Sequence, residues 1–126
     1  MPSPNPAIVK TGEMYWCEPD PKDTVGSEQE KDRIWVIVSR HELHRGNCVG
    51  GVPLTTQTKK AVAHLVGIPA GHLTMGDGTI PQDCVAPTDQ IRALDKTRLR
   101  RRAGYISKQG LSSILFGLQR LFGMDD

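Results

Sequence analysis

The run Ile34-Trp35-Val36-Ile37-Val38 limits the fold more than any other stretch of this chain. Four of its five residues are β-branched and the fifth is aromatic, which is strand composition, and the run is too short for a buried helix. Because apolar and polar positions do not alternate, the strand it predicts, over 33–39, is buried on both faces. A chain of 126 residues is expected to form one domain large enough to bury such a strand without cross-links. Thirteen glycines and nine prolines promise many turns between short elements, which favours a strand-rich fold over a helix bundle.

Other segments take their places around that strand. Residues 12–20 predict a first strand, with Met14 and Trp16 on one face, Tyr15 and Cys17 on the other, and Pro19 and Pro21 stopping it. The charged stretch 20–32 reads as a loop and 40–47 as a short turn. Residues 48–57 predict a strand in which Gly50, Gly51 and Pro53 suggest a bulge or an edge position. Further strands are expected at 61–68 and 83–94, separated by a hairpin-like excursion over 70–82 with Asp77-Gly78 at its turn. Residues 95–107 read as a basic turn followed by a short last strand. The tail changes period: Leu111, Ile114, Leu115, Leu118, Leu121 and Phe122 recur at helical spacing. They predict a helix over about 108–122 that Ser107 caps and Gly123 ends. Gly110 and Gly117 weaken that helix by about 1 kcal/mol each relative to Ala, so packing must hold it. Residues 1–9, with three prolines, are expected to be a flexible leader, and 10–126 one domain.

Composition narrows the function classes. No apolar run is long enough for a transmembrane helix, and the first residues lack the charged and apolar regions of a secretory signal. Cys17, Cys48 and Cys84 are odd in number and widely spaced, as expected of reduced thiols in a cytoplasmic protein. His41-Glu42-Leu43-His44 is one residue short of the H-E-x-x-H zinc pattern, and no metal or other cofactor is expected. The net charge of +2 is uneven: residues 1–32 hold three Lys/Arg against seven Asp/Glu, for −4, and the remainder carries +6. A basic majority permits a polyanionic ligand. Within it, 95–102 has five basic residues in eight, either a solvated turn or a phosphate-tracking patch with Arg92. Glu28, Arg33, Thr55 and Asp89 form a further set, each at the end of an apolar strand, where a rim can collect side chains.

Four motifs in order then carry a family resemblance over about Lys10 to Gly123. They are Gly12-Glu13-Met14-Tyr15-Trp16 with Asp20-Pro21, Gly26-Ser27-Glu28-Gln29 leading to Arg33, Val52-Pro53-Leu54-Thr55-Thr56-Gln57, and the block from Val85 through Asp89-Gln90-Ile91-Arg92 to Leu99. With the closing helix they resemble the MazF/PemK family of toxin–antitoxin endoribonucleases. The resemblance implies a mostly β fold with a C-terminal helix, a compact SH3-like barrel of the CcdB/MazF type. It implies a homodimer that cuts single-stranded RNA at short motifs without a metal, leaving a cyclic phosphate and a 5′-hydroxyl, and a MazE-like antitoxin partner. Arg33 matches the family arginine that holds the scissile phosphate, Thr55 the threonine that donates to it, and Glu28 is the candidate general base. Ser27, Gln29, Thr56, Gln57, Asp89, Gln90 and Arg92 are expected to bind RNA.

The pattern is not followed throughout. Ile34 stands where a proline usually follows the arginine, Trp35 where a smaller aliphatic residue is usual, Pro87 where some members have an arginine, and the stretch around 68–78 is atypical. The alternative function on this fold is inhibition of DNA gyrase, as in the CcdB relatives. Those act through a C-terminal tryptophan, whereas this chain ends Phe-Gly-Met-Asp-Asp.

Overall fold

The strand that begins at Arg33 lies inside a sheet, with apolar side chains packed on both of its faces. The computed structural model describes residues 9–18, 33–40, 46–56 and 65–124. The loop expected over 20–32, the turn over 40–47 apart from its ends, and the first half of the strand expected at 61–68 lie outside the described residues. The strands are β1 (Glu13–Cys17), β2 (Arg33–Ile37), β3 (Cys48–Pro53), β4 (Leu65–Ile68), β5 (Leu73–Met75), β6 (Cys84–Pro87), β7 (Arg92–Asp95) and β8 (Leu99–Ile106), followed by the helix α1 (Lys108–Leu121). Six strands form an antiparallel sheet in the order β5-β8-β1-β2-β3-β7, and β4 and β6 form a second pair. A single bridge, Thr55 with Val85, ties the two sheets beyond the end of β3. The fold is mostly β with one C-terminal helix, as expected, but among the described residues the ladder does not close into a barrel.

Period-two alternation divides the core. Met14 and Trp16 of β1, and Ile34, Val36 and Val38 at β2, face one apolar cluster, which α1 closes with Ile114 and Leu118. Tyr15, Cys17, Trp35 and Ile37 face a second cluster, with Val49, Leu94 and Leu99. Val36 and Ile37 are wholly buried on opposite faces, each side chain contributing about 1.5–3 kcal/mol of transfer free energy. The helix begins where Ser107 accepts a hydrogen bond from Gly110 N (3.0 Å) and ends at Gly123 in the left-handed region (φ 72°). Leu111 and Leu121 join its buried stripe, whereas Leu115 and Phe122 remain exposed, so the apolar spacing is wider than the face the core uses. At Gly117 a Cβ would lie 2.6 Å from the Val66 side chain: a close approach to β4 offsets the poor helix propensity there.

Three expectations are corrected. β3 is neither bulged nor an edge, since its registers to β2 and β7 run without a shift and Pro53 only closes its end. The strand expected over 83–94 is two strands. Pro87 ends β6, a 3-10 turn over Thr88–Gln90 packs under α1, and β7 starts beyond it. The basic turn expected over 95–102 is confined to Lys96–Arg98, capped by Asp95, which accepts from Thr97 N (2.9 Å). Arg100, Arg101 and Arg102 belong to β8, the longest strand. Two register shifts against β1 accompany these arginines as they turn to three different carboxylates: Arg100 to Glu18, Arg101 to Asp77 (3.3 Å) and Arg102 to Glu13 (2.9 Å).

The excursion expected over 70–82 leaves the second sheet and returns to it. Between β4 and β6, β5 crosses to pair with β8, so that Leu73 faces Ile106 and Met75 faces Gly104. That pairing is tight: a Cβ on Gly104 would lie 1.9 Å from Thr74 O and 2.9 Å from Met75 Cα, both backbone atoms that cannot step aside. Gly104→Ala is therefore expected to lose about 1–3 kcal/mol of unfolding free energy, the scale of core overpacking. Gly71→Ala, whose Cβ would meet nothing within 4 Å, should stay within about 0.5 kcal/mol of wild type. Urea unfolding of both variants measures the difference.

Candidate active-site cavity

At the end of the sheet where β2 begins, strand ends from both sheets and the excursion enclose a cavity of about 450 Å³. Sites for small ligands occupy about 300–1,000 Å³. Trp16 of β1, Arg33 and Ile34 of β2, and Leu54, Thr55 and Thr56 beyond β3 line it. So do Leu73 and Met75 of β5, the turn Thr79-Ile80-Pro81-Gln82, and Cys84 of β6.

Register explains why Arg33 and Thr55 meet here. Arg33 opposes Cys17 at the first position of β2, so its backbone is held by the central strands while its half-buried side chain reaches the cavity. Leu54 N donates to Ile34 O (2.9 Å), which keeps the chain leaving β3 beside β2. Thr55 N then donates to Val85 O (3.0 Å) and its carbonyl accepts from Val85 N (2.8 Å). Both residues thus stand on paired backbone, the support a precise site needs. Among the described residues no hydrogen bond, ion pair or ring contact engages the Arg33 side chain. The other described arginines are all engaged, including the three of β8 with carboxylates. Arg33 presents an unneutralised planar cation to the cavity, with five donors that suit a phosphate or carboxylate.

The turn that carries Thr79 is tied to Trp16 by Asp77. Its carboxylate accepts from the Trp16 indole N–H (2.8 Å), from Arg101 Nε (3.3 Å) and from Thr79 N (3.0 Å). Burial works to raise the Asp77 pKa, but the bonds from Thr79, Trp16 and Arg101 outweigh it and hold the carboxyl well below the usual carboxylate range. The Arg101 guanidinium also lies over the Trp16 ring, 5.4 Å from its centre. Trp16 is thereby locked in plane before any ligand arrives.

Cys84 lines the cavity, but burial first and Asp83 second push its thiol up to about 11. It is protonated at neutral pH and unsuited to nucleophilic attack. Among the described residues no group of three or more His, Cys, Asp or Glu side chains could hold a metal ion. His41–His44 lies outside them.

Of the residues the sequence singles out, the cavity brings together Arg33, Thr55 and Thr56. Asp89 and Gln90 are exposed on the 3-10 turn beneath α1, away from the cavity lining. Arg92 opens β7, with its guanidinium 5.9 Å from the ring centre of Trp35, toward the second core cluster. Ser27, Glu28, Gln29 and Gln57 lie outside the described residues. Sequence reasoning missed Trp16 and the Asp77–Gln82 turn as site components. The Asp77-Gly78 turn signal was readable, but its bond to Trp16, 61 positions away, has no local signature.

Residues 10–122 match the profile of a family described as PemK-like, MazF-like toxin of type II toxin–antitoxin system. No curated protein sequence matches the chain significantly. Among solved structures, MazF from Deinococcus radiodurans superposes with a TM-score of 0.69 at 21% identity, covering 93% of this chain and 98% of its own. An endoribonuclease from a mycobacterial species, in complex with its cognate antitoxin, gives 0.65 at 23% identity, with 93% and 97% covered. The Mycobacterium tuberculosis toxin MazF-mt6 gives 0.66 at 18% identity, with 90% and 99% covered. At these identities the likeness establishes the fold.

The Asp77 wall has a pH signature. A carboxyl whose folded pKa lies below its unfolded value of about 3.9 adds stability above that pH and loses it as pH falls. Asp77→Asn should lower unfolding free energy at pH 7 by about 1.5–3 kcal/mol, the scale of hydrogen bonds to a charged group. Its stability should fall less than that of wild type between pH 5 and pH 2. Parallel pH profiles for the two proteins would contradict this role for Asp77.

Proposed function

Because the chain belongs to the PemK-like, MazF-like family of toxins of type II toxin–antitoxin systems, we propose that it is an endoribonuclease that cuts single-stranded RNA. The observation that carries the reading is the one cavity shared by Arg33, unengaged by any described group, and Thr55, fixed by its bridge to Val85. A cation that no described carboxylate engages, in one cavity with a threonine, suits a phosphodiester.

RNA supplies its own nucleophile. The ribose 2′-oxygen attacks phosphorus and gives its proton to a base as the new P–O bond forms. The bond to the 5′-oxygen breaks, and that oxygen takes a proton as it leaves. The products are a cyclic phosphate and a 5′-hydroxyl, with no change in oxidation state and no covalent enzyme intermediate. The fork of Arg33 holds the scissile phosphate and offsets the charge that builds on its oxygens, and Thr55 donates a hydrogen bond to the same group. Arginine is a poor proton donor, so the stabilising role is the one assigned to it. Glu28 is the candidate base for the 2′-hydroxyl. Ser27, Gln29, Thr56, Gln57, Asp89, Gln90 and Arg92 are proposed to position the strand, in steps that require no metal. Sequence-selective cutting, a cytoplasmic location and neutralisation by a MazE-like antitoxin complete the reading, the last supported by the antitoxin in the related mycobacterial complex. A homodimer is proposed as well, carried over from the family, and the exposed Leu115 and Phe116 of α1 are consistent with it.

Purified protein is expected to cut long RNA in the presence of EDTA and to leave 5′-hydroxyl ends. Arg33→Ala and Thr55→Ala should each lose at least about a hundredfold in rate, the scale of a missing transition-state donor. Arg33→Lys should remain impaired because a point charge does not replace a fork. Abolition of cutting by EDTA, or normal cutting by Arg33→Ala, would overturn the chemistry.

A further inference from the structure

The cavity is larger and more apolar than a phosphate requires. Beyond Arg33 and the two threonines its walls are Trp16, Ile34, Leu54, Leu73, Met75 and the Ile80–Pro81 corner. Ile80 stands on the rim at 78% exposure, a large apolar side chain left in water. Trp16 has spent its side-chain donor on Asp77, so to the cavity it contributes apolar aromatic surface and no hydrogen bond. Arg101, which lies over the ring, is not part of the cavity lining.

The part of the lining that the excursion supplies is also built in advance. β5 pairs it to β8, Asp77 pins its turn to β1, and Asp83 Oδ1 accepts from Ala70 N (2.8 Å) to close its base. Among the described lining residues the polar ones besides Arg33, Thr55 and Thr56 are Thr79 and the exposed Gln82, whose amide can both donate and accept. A phosphate site joined to a rigid aromatic slot with one amide at its rim is complementary to a nucleotide whose base has left the stack. The ring fills the apolar slot and its edge meets the amide.

We propose that this slot binds one unpaired RNA base next to the phosphate held by Arg33, and that Ile80 and Gln82 on the excursion set which base is accepted. The proposal rests on the ribonuclease reading for its ligand class, but it is testable without cleavage. The apolar tail of a protein partner would also fit the slot, yet it would leave Arg33 and Thr55 in the same cavity unexplained.

The test uses a randomised single-stranded 2′-fluoro RNA library, which lacks the nucleophile and cannot be cut. Full-length wild type, Ile80→Ala and Gln82→Ala are each used to select from it, and the retained sequences are read. Both side chains are exposed, so truncation should leave the thermal melt unchanged. Wild type is expected to enrich one base at one position. Each variant should lower that preference at least about tenfold, the scale of one base contact, while preferences at other positions persist. Arg33→Ala should reduce total RNA retained and keep the preference. Superimposable profiles for wild type and both variants, or no base preference in wild type, would overturn the proposal. So would an Ile80→Ala protein that keeps its RNA profile and releases a protein partner. Failure of the ribonuclease reading would appear separately, as no cutting of 2′-hydroxyl RNA by a protein that still selects a base.

Discussion

Everything in this structure depends on apolar cover over both faces of β2. Val36 is sealed by the cluster that α1 closes, and Ile37 by the cluster that Leu94 and Leu99 close. A strand held in this way cannot slip by one residue without exchanging the two sets. Its first residue therefore has a fixed position and direction. Arg33 owes its place at the cavity to that constraint. A long, flexible cation is held at its base by the most deeply packed part of the protein, and no other described residue engages its tip.

Charges elsewhere are arranged so that this one stays distinct. The arginines of β8 look in sequence like the strongest polyanion signal in the chain. In the fold each turns to a different carboxylate, and two of those carboxylates brace the sheet or the cavity wall. Asp77 neutralises Arg101, orients Trp16 and anchors the excursion with a single group. The β8 arginines of the basic run are thus engaged by carboxylates, and the contrasting feature is Arg33, which no other described group engages and which composition cannot reveal.

What could be read from the sequence followed periodicity and short-range chemistry. Two-residue alternation assigned Met14, Trp16, Tyr15 and Cys17 to their correct faces, and the 3.6-residue period found α1 with Ser107 at its cap. The motifs around Arg33 and Thr55 set these residues in one expected site, and both line the same cavity. Errors arose where tertiary pairing overrode local pattern. Gly50, Gly51 and Pro53 resemble an edge until β7 is seen to cover β3. The run 83–94 looks continuous until the 3-10 turn at Thr88 packs under α1. Leu115 satisfies the helical period but not the core, because periodicity does not state how wide a face the sheet can cover. The excursion was legible as a turn, but its crossing to β8 depends on contacts about thirty residues apart.

Arg33, Thr55 and Trp16 line one cavity at the ends of β1, β2 and the chain beyond β3, and the proposed RNA chemistry and the proposed base choice would meet there. The most direct measurement is an NMR titration of isotope-labelled protein with a short non-cleavable single-stranded RNA, following the Arg33 Nε–H, the Thr55 amide and the Trp16 indole N–H. The expected result is saturable shifts of all three at one common affinity, with the Arg100–Arg102 side chains moving little. Shifts confined to the arginines of β8, with Arg33 and Thr55 unmoved, would contradict the account.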